Sequence, residues 1–248
     1  MSIDNKFSLK IKDYIHVPER KRDYNEQHFG EAASRYDFAT RAMSLGRDMA
    51  WKRKLIAALP ALPAPDCVDL ACGTGDVAFL LAEKYPGGRI VGIDLTEQML
   101  ALAEKRNRAT NVKFSRQDMG KTDLPDESVD IVTGSYAVRN APELRQAFAE
   151  ISRILRPGGV VALLDFSKPP NTWFQRIQYL ILKYWCGFWG LMLHGNPEVH
   201  AYIAASLKVF PDREQLREIL HESGFIVSHS QQFYFGVLEL LVLKKNKL

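Results

Sequence analysis

The 248 residues, 46% hydrophobic and 25% charged, suit one domain of the larger α/β kind with at most an appendage, and they are enough for a sizeable buried core. Cys67, Cys72 and Cys186 are too few and too scattered for a disulfide framework, and no paired Cys/His spacing offers a zinc site, so no metal is expected. A net charge of +4 lacks the dense basic face of a nucleic-acid binder. Its excess lies in residues 1–60, with 12 basic residues against 8 acidic, and would favour an anionic surface such as a phospholipid leaflet, although a solvated charged face is the commoner reading. The start of the chain has no apolar core of signal-peptide type, and Asp4 and Asp13 argue against a transit peptide, so a cytoplasmic location is expected.

Residues 1–60 read as a helical lead-in, with Tyr36, Met43, Trp51, Leu55 and Leu59 at roughly helical spacing over 30–59 and Pro60 as a stop. Residues 61–248 read as one domain. From Cys67 strand and helix alternate: CVDL, a Gly turn, VAFLLAEKY as helix, RIVGID as strand, EQMLALAEKR as helix, VKFSRQ and VDIVTGS as strands. PELRQAFAEISRIL is a helix stopped by Pro157-Gly158-Gly159, and VVALLDF is an apolar strand. That rhythm predicts an α/β, Rossmann-like, doubly wound and mainly parallel sheet with helices on both faces. Residues 171–210 interrupt it with an aromatic-rich insertion, REQLREILHESG restores it, and FIVSHSQQ with GVLELLVLKK completes seven strands through an antiparallel hairpin.

The loop Cys72-Gly73-Thr74-Gly75-Asp76 follows a strand and opens a helix, where Gly lets the backbone turn tightly and approach a ligand. Its glycines suit a nicotinamide cofactor and S-adenosylmethionine alike. Asp69 in the first strand, Asp94 closing the second and Asp118 after the third are expected to face one crevice. Asp94 would accept from a ribose diol and Asp118 from an adenine amino group, with Met119 on the ring, while Asp69 suits an ammonium group. Asp69 and Asp76 would sit awkwardly beside a pyrophosphate, which favours S-adenosylmethionine and leaves a nicotinamide-dependent oxidoreductase as the weaker reading. Loop residues and helix caps are the ordinary explanation for any one such Asp; the joint spacing carries the inference.

VDLACGTGD, SYAVRN, LRPGGVVALLDFSKP and the early RYDFATRAMSLGRDMAWKR together resemble the ubiquinone/menaquinone C-methyltransferase family, over roughly residues 29–240. The Gly loop alone indicates some class I methyltransferase; RYD…MS.G…WKR and RN…DFSKP are more specific. The resemblance implies a sheet of order 3-2-1-4-5-7-6 and S-adenosylmethionine as methyl donor. It implies donor contacts from Thr74, Asp94, Asp118 with Met119, and Ser135, alongside the loop glycines Gly73 and Gly75 read above as the ligand's approach, with Tyr36 closing over the site. Arg139 and Asn140 would stand where the methyl group meets its acceptor, a hydrophobic aromatic molecule, most specifically the ring carbon of a prenylated quinol. Arg139 stays protonated, so it suits stabilising a phenolate or orienting water rather than acting as a base. For the proton acceptor the candidates are His194, His200 or water, with a surface histidine of the insertion as the commoner reading of each.

Departures cluster on the acceptor side. Phe38-Ala39-Thr40 and Tyr136-Ala137-Val138 replace more polar or differently shaped family residues, and Tyr234 and Leu241 stand where the family carries Thr and His. AYIAASLKVFP tracks the family's Y-x-Y-L-x-x-S-[IL]-x-x-[FHY]-P, but YLILKYWCGFWGLML is greasier than usual. Lys183 and Gly187 interrupt it too soon for a transmembrane helix, leaving core packing, a substrate tunnel or peripheral contact with the inner face of a membrane. Two further alternatives stand beside quinol C-methylation: O- or N-methylation or other donor-dependent chemistry on a different small hydrophobic metabolite, and a non-catalytic subunit of a membrane-associated complex.

Overall fold

A computed structural model describes residues 17–246, so Asp4 and Asp13 lie outside the described residues. Over the described residues the lead-in is helical: α1 spans Pro18–Ala32, a 3-10 turn Ala33–Arg35, α2 Tyr36–Met43 and α3 Asp48–Ala57. The helical reading of 30–59 thus takes in the end of α1, the 3-10 turn, α2 and α3. Leu45 and Gly46 adopt positive φ of 53° and 77°, which ends α2 and redirects the chain into α3. α1 escaped the apolar pattern because Lys21 and Asn25 are among its buried residues and anchor it through hydrogen bonds.

β1 (Asp66–Leu70), α4 (Asp76–Lys84), β2 (Arg89–Asp94), α5 (Glu97–Arg106), β3 (Val112–Arg116), β4 (Val129–Ser135), α6 (Leu144–Ile154) and β5 (Leu155–Phe166) follow in the expected alternation. After them come α7 (Thr172–His194), α8 (Glu198–Val209), α9 (Arg213–Glu222), β6 (Phe225–Phe233) and β7 (Leu238–Lys245). The seven strands lie in the order β3-β2-β1-β4-β5-β7-β6. β1 to β5 pair in parallel, and β7 runs antiparallel between β5 and β6.

Both sheet faces are covered, which explains why the central strands read as apolar runs. Val68 and Leu70 of β1 pack with Phe148, Ile151 and Val161 on one side, while Cys67 packs with Leu55, Leu81, Tyr85 and Ile131 on the other. Burying a side chain such as Phe148 stabilises the fold by roughly 2–3 kcal/mol relative to exposure. β5 begins directly at Leu155, earlier than VVALLDF. Leu155 pairs with Val129 before the register shifts to Val160 opposite Ile131, and Gly158 at φ 76° accommodates the irregularity.

The insertion forms a helical hairpin. Asn171 caps α7 by accepting from the Trp173 N–H at 2.9 Å, and Gly195 at φ 68° closes it. None of the described helices is long and apolar enough to cross a membrane. Asp212 and Gln215 form a capping box that starts α9. The order reverses between β1 and β4, the position where open α/β sheets place ligands beyond their carboxyl ends.

Candidate active site

At the end of β1 the backbone turns through positive φ at Ala71 (49°), Gly73 (55°) and Gly75 (91°). A Cβ on Gly75 would come within 2.9 Å of the Phe79 ring, so both the turn and the space require glycine there. The Gly73 N–H donates to Asp94 Oδ2 at 2.9 Å and the Thr96 N–H to Oδ1 at 2.8 Å, which fixes the carboxylate closing β2 against the loop. Burial raises the Asp94 carboxyl above its ordinary range, against these backbone donors.

The lead-in helices clamp the other side of the loop. Thr74 Oγ1 donates to Asp37 at 2.6 Å, and Arg106 reaches Asp37 and the Thr74 carbonyl, each at 3.0 Å, as well as Asp76 at 2.5 Å. Lys52 joins Asp48 at 2.6 Å to Asp76 at 3.0 Å. Burial pushes the Asp76 carboxyl up, but Lys52 and Arg106 outweigh it and hold the group below its usual range. Asp76 is therefore compensated, and the expected electrostatic conflict with a pyrophosphate does not arise from it.

A small cavity of about 70 Å³ with a mixed polar and apolar lining lies above this loop, lined among others by Tyr36, Gly73, Asp94, Asp118, Met119, Ser135 and Asn140. Asp118 accepts from the Gly120 N–H at 2.8 Å and faces Arg22 at 3.5 Å. Ser135 Oγ and Asn140 Oδ1 are buried without a hydrogen-bond partner. Thr74 and Gly75 shape the loop from outside this lining. Asp69 is also outside it, enclosed between β1 and β4, where Oδ1 accepts from Thr133 Oγ1 at 2.8 Å and Oδ2 has no partner. Burial pushes the Asp69 carboxyl up to about 7. The three carboxylates thus do not share one crevice wall: Asp94 and Asp118 do, and Asp69 lies apart.

Next to it is a larger, mostly apolar cavity of about 360 Å³, with Met43, Trp51, Phe166, Leu182, Trp185 and Ile203 in its walls. Phe29, Tyr36, Tyr136 and Asn140 line both cavities and form the partition between them. Tyr136 holds its place at a strained φ of 58° because its N–H donates to the Leu164 carbonyl at 2.7 Å and its hydroxyl to Asp48 at 3.0 Å. Asn140 Nδ2 donates to the Tyr136 carbonyl at 2.9 Å.

Arg139 lines the apolar cavity and is buried. Its Nε lies 3.5 Å from Asp165 Oδ1, its Nη1 donates to Ser206 Oγ, and its guanidinium stands 5.3 Å from the Phe166 ring centre. α1 secures this segment: Lys21 donates to the carbonyls of Ala141 at 2.6 Å and Arg139 at 3.1 Å, and Asn25 to that of Asn140 at 2.7 Å. The Tyr202 hydroxyl donates to Asn25 Oδ1 at 2.7 Å. Burial, then the Arg139 charge, lowers the Lys21 ammonium to about 8. Sequence reasoning missed Asn25 and Phe29, which sit in a helix with no apolar stripe; Asp165 was visible within LLDF but had no assigned part.

The histidines differ from the surface reading. His200 is buried and lines the apolar cavity with His28. His194 is half-buried beside His200, with ring centres 5.2 Å apart. Burial lowers His28 to about 3 and His200 to about 4, with further repulsion from neighbouring imidazoles, so both are neutral at pH 7.

A pocket bearing two carboxylates and two unpartnered buried oxygens fits a ligand rich in N–H and O–H donors, and the apolar chamber across its partition fits a greasy second reactant. Comparison with known proteins agrees. Residues 18–243 match the ubiE/COQ5 methyltransferase family. A demethylmenaquinone methyltransferase from Thermus thermophilus is 33% identical over 86% of this chain and 98% of its own length. The ubiquinone/menaquinone biosynthesis C-methyltransferase of Desulfotalea psychrophila is 30% identical over 86% of this chain and 87% of its own. A solved S-adenosylmethionine-dependent methyltransferase from Aquifex aeolicus superposes with a TM-score of 0.56 at 18% identity, covering 78% of this chain and 89% of that one, and so shares the fold.

Proposed function

Because the chain belongs to the ubiE/COQ5 methyltransferase family and uses S-adenosylmethionine as methyl donor, we propose that it methylates the ring carbon of a prenylated quinol, of the demethylmenaquinol or ubiquinol-precursor type. The observation that carries this reading is the 360 Å³ apolar chamber sharing a wall with the smaller pocket, a shape that suits an aromatic head group with a hydrophobic tail.

The residues of the smaller pocket fit the donor. Asp94 would hold its ribose hydroxyls, Asp118 its adenine amino group with Met119 on the ring, and the free oxygens of Ser135 and Asn140 would accept from it. Gly73 leaves room for close approach beneath the Tyr36 ring, whose Cε1 would lie 4.0 Å from any Cβ there. When bound, the donor supplies an electrophilic methyl group on a sulfonium. The partition holds the acceptor against that pocket, so proximity contributes to the rate.

Arg139 presents a fixed positive charge to an otherwise apolar chamber and stabilises negative charge as it develops on the acceptor oxygen. Asp165, Ser206 and the α1 anchors keep that charge in position. Tyr36, Met43 and Trp185 exclude water, with the Trp185 indole N–H donating to the Met43 carbonyl at 3.0 Å to join α7 to α2.

The acceptor reaches this chamber from a membrane surface, at which the otherwise cytoplasmic enzyme works as a peripheral protein. Trp173, Phe174, Ile181, Tyr184, Phe188 and Met192 are exposed along α7, beside exposed Phe38 and Leu45. Ile181 and Leu45 also line the chamber, so the apolar surface is continuous with its interior. α7 contains Arg176 and Lys183 and no acidic residue, a composition compatible with an anionic leaflet.

Turnover on demethylmenaquinols of increasing prenyl length tests the reading. A ring-methylated product with KM falling as the tail lengthens supports it. Indifference to the tail would contradict the chamber's assignment, and methylation at oxygen would contradict the reaction.

A further inference from the structure

The ring carbon becomes nucleophilic when its neighbouring hydroxyl gives up a proton, so the acceptor chamber needs a base. Among the described residues no aspartate or glutamate lines it. Arg139 is always protonated and is committed to Asp165 and Ser206. Tyr136 is committed to Asp48, and burial pushes Tyr36 and Tyr202 up to about 12, so none of the three carries a useful phenolate at pH 7. His28 is packed between the Tyr24 ring, stacked at 5.3 Å, and the Tyr202 ring at 5.1 Å, with Nδ1 3.5 Å from the Tyr24 hydroxyl.

His200 is free of such commitments. It is buried and lines the chamber, and its Nε2 has no hydrogen-bond partner. The adjacent His194 also has a partnerless buried Nε2, yet the residue as a whole is half-buried and sits in the last turn of α7, where a helix terminus favours positive charge. Leaving such polar atoms unpaired costs stability, which a structural histidine would normally avoid by bonding to its surroundings.

We propose that the His200 imidazole accepts the proton of the acceptor's ring hydroxyl and that His194 conducts it outward, an assignment that rests on the quinol reading. The O–H bond breaks with its electron pair left on oxygen, and the proton joins His200. The ring π pair forms the C–C bond to the methyl group, and the pair of the broken S–C bond stays on sulfur. The hydrogen of the methylated carbon then leaves as a proton and its bonding pair restores the aromatic ring. The oxygen recovers a proton, and one proton per turnover leaves the site.

Both imidazoles must be neutral to act. Among the described residues the charged and titratable groups around them are each other, His28 on α1, Arg139 after β4 and Arg35, which repels charge on His194. Burial, with Arg35 facing His194 and His194 facing His200, disfavours protonation at rest, and a developing phenolate reverses the balance.

The test compares wild type, His200→Gln, His200→Asn and His194→Gln with a short-chain demethylmenaquinol, after calorimetry confirms that each binds S-adenosylhomocysteine. Wild-type turnover decides the substrate reading separately; the ratio of variant to wild type decides this one. Both His200 variants are expected to lose about a hundredfold in kcat with little change in KM, as removal of a general base does. Their residual rate rises about tenfold per pH unit between 7 and 9 as hydroxide replaces the imidazole, while the wild-type rate is flat. His194→Gln, at a half-buried position that tolerates change, loses about tenfold in kcat. Wild-type kcat in the His200 variants, or a pH profile parallel to wild type, overturns the assignment of His200; wild-type kcat in His194→Gln overturns the relay.

Discussion

Arg139 and Asp165 form an ion pair with both side chains buried, Nε to Oδ1 at 3.5 Å, and the same aspartate accepts the Arg139 backbone N–H through Oδ2 at 3.1 Å. One carboxylate thereby sets both the charge and the backbone position of the residue at the acceptor chamber. Burial raises the Asp165 carboxyl while the Arg139 charge opposes that shift. Removing one partner of such a pair leaves the other charge uncompensated. Asp165→Ala is expected to destabilise the protein by about 3 kcal/mol, read from denaturant unfolding, whereas Arg139→Ala lowers turnover with donor affinity nearly unchanged. Equal loss of donor affinity in Arg139→Ala would move that residue to the donor side.

Asp94 has the opposite signature. It lines the smaller pocket and fixes the loop through the N–H groups of Gly73 and Thr96. Asp94→Ala removes a charged acceptor, so the affinity for S-adenosylmethionine is expected to fall by about tenfold to a hundredfold, in line with roughly 1.5–3 kcal/mol for a hydrogen bond to a charged group. Isothermal titration reads the change directly, and an unchanged dissociation constant would remove Asp94 from the donor site.

Much of this was legible beforehand for physical reasons. Strands buried on both faces announce themselves as apolar runs, and the carboxylates at their ends stand out against them, so the sheet and the positions of Asp94 and Asp118 followed. What was hidden depends on polar contacts across long sequence separations. Lys21 and Asn25 bind carbonyls near residue 140, which no periodicity in α1 reveals. Thr74 and Asp69 looked like ligands because of their place beside the Gly loop, but in the fold their polar atoms meet Asp37 and Thr133. His200 looked like a surface histidine because the hairpin partner that buries it, α7, is itself greasy on its outer face.

Stability should depend on pH through the neutral histidines of the chamber. His28 has a folded pKa lowered to about 3, so the unfolded chain binds more protons than the native one below about pH 6.5. Its contribution is fully present above that pH and is lost as pH falls toward 3, by up to about 1.4 kcal/mol per pH unit. His28→Gln is expected to flatten the fall in unfolding free energy between pH 6 and 4. An unchanged slope would show that His28 is not held neutral.

Asp69 gives the reverse dependence. Its folded pKa is raised to about 7, so its contribution is present below about pH 4 and is lost as pH rises through 7. Asp69→Asn should gain stability relative to wild type between pH 5 and pH 8. Melting temperatures of both proteins at the two pH values test this, and a gap that does not widen at pH 8 would contradict it.

The outer face of α7 predicts membrane binding separable from chemistry. Trp173→Ser with Phe188→Ser removes two exposed aromatics that do not line the chamber. Sedimentation with anionic phospholipid vesicles is expected to drop severalfold while affinity for S-adenosylhomocysteine stays as in wild type. Equal sedimentation of the two proteins would assign this face another purpose.

The reaction itself is tested most directly by incubating the purified protein with S-adenosylmethionine carrying an isotopically labelled methyl group and a demethylmenaquinol, then locating the label by carbon NMR. The label is predicted on the ring carbon beside a hydroxyl. A label on oxygen, or a quinol recovered unlabelled while the donor binds, would contradict C-methylation across the wall formed by Phe29, Tyr36, Tyr136 and Asn140.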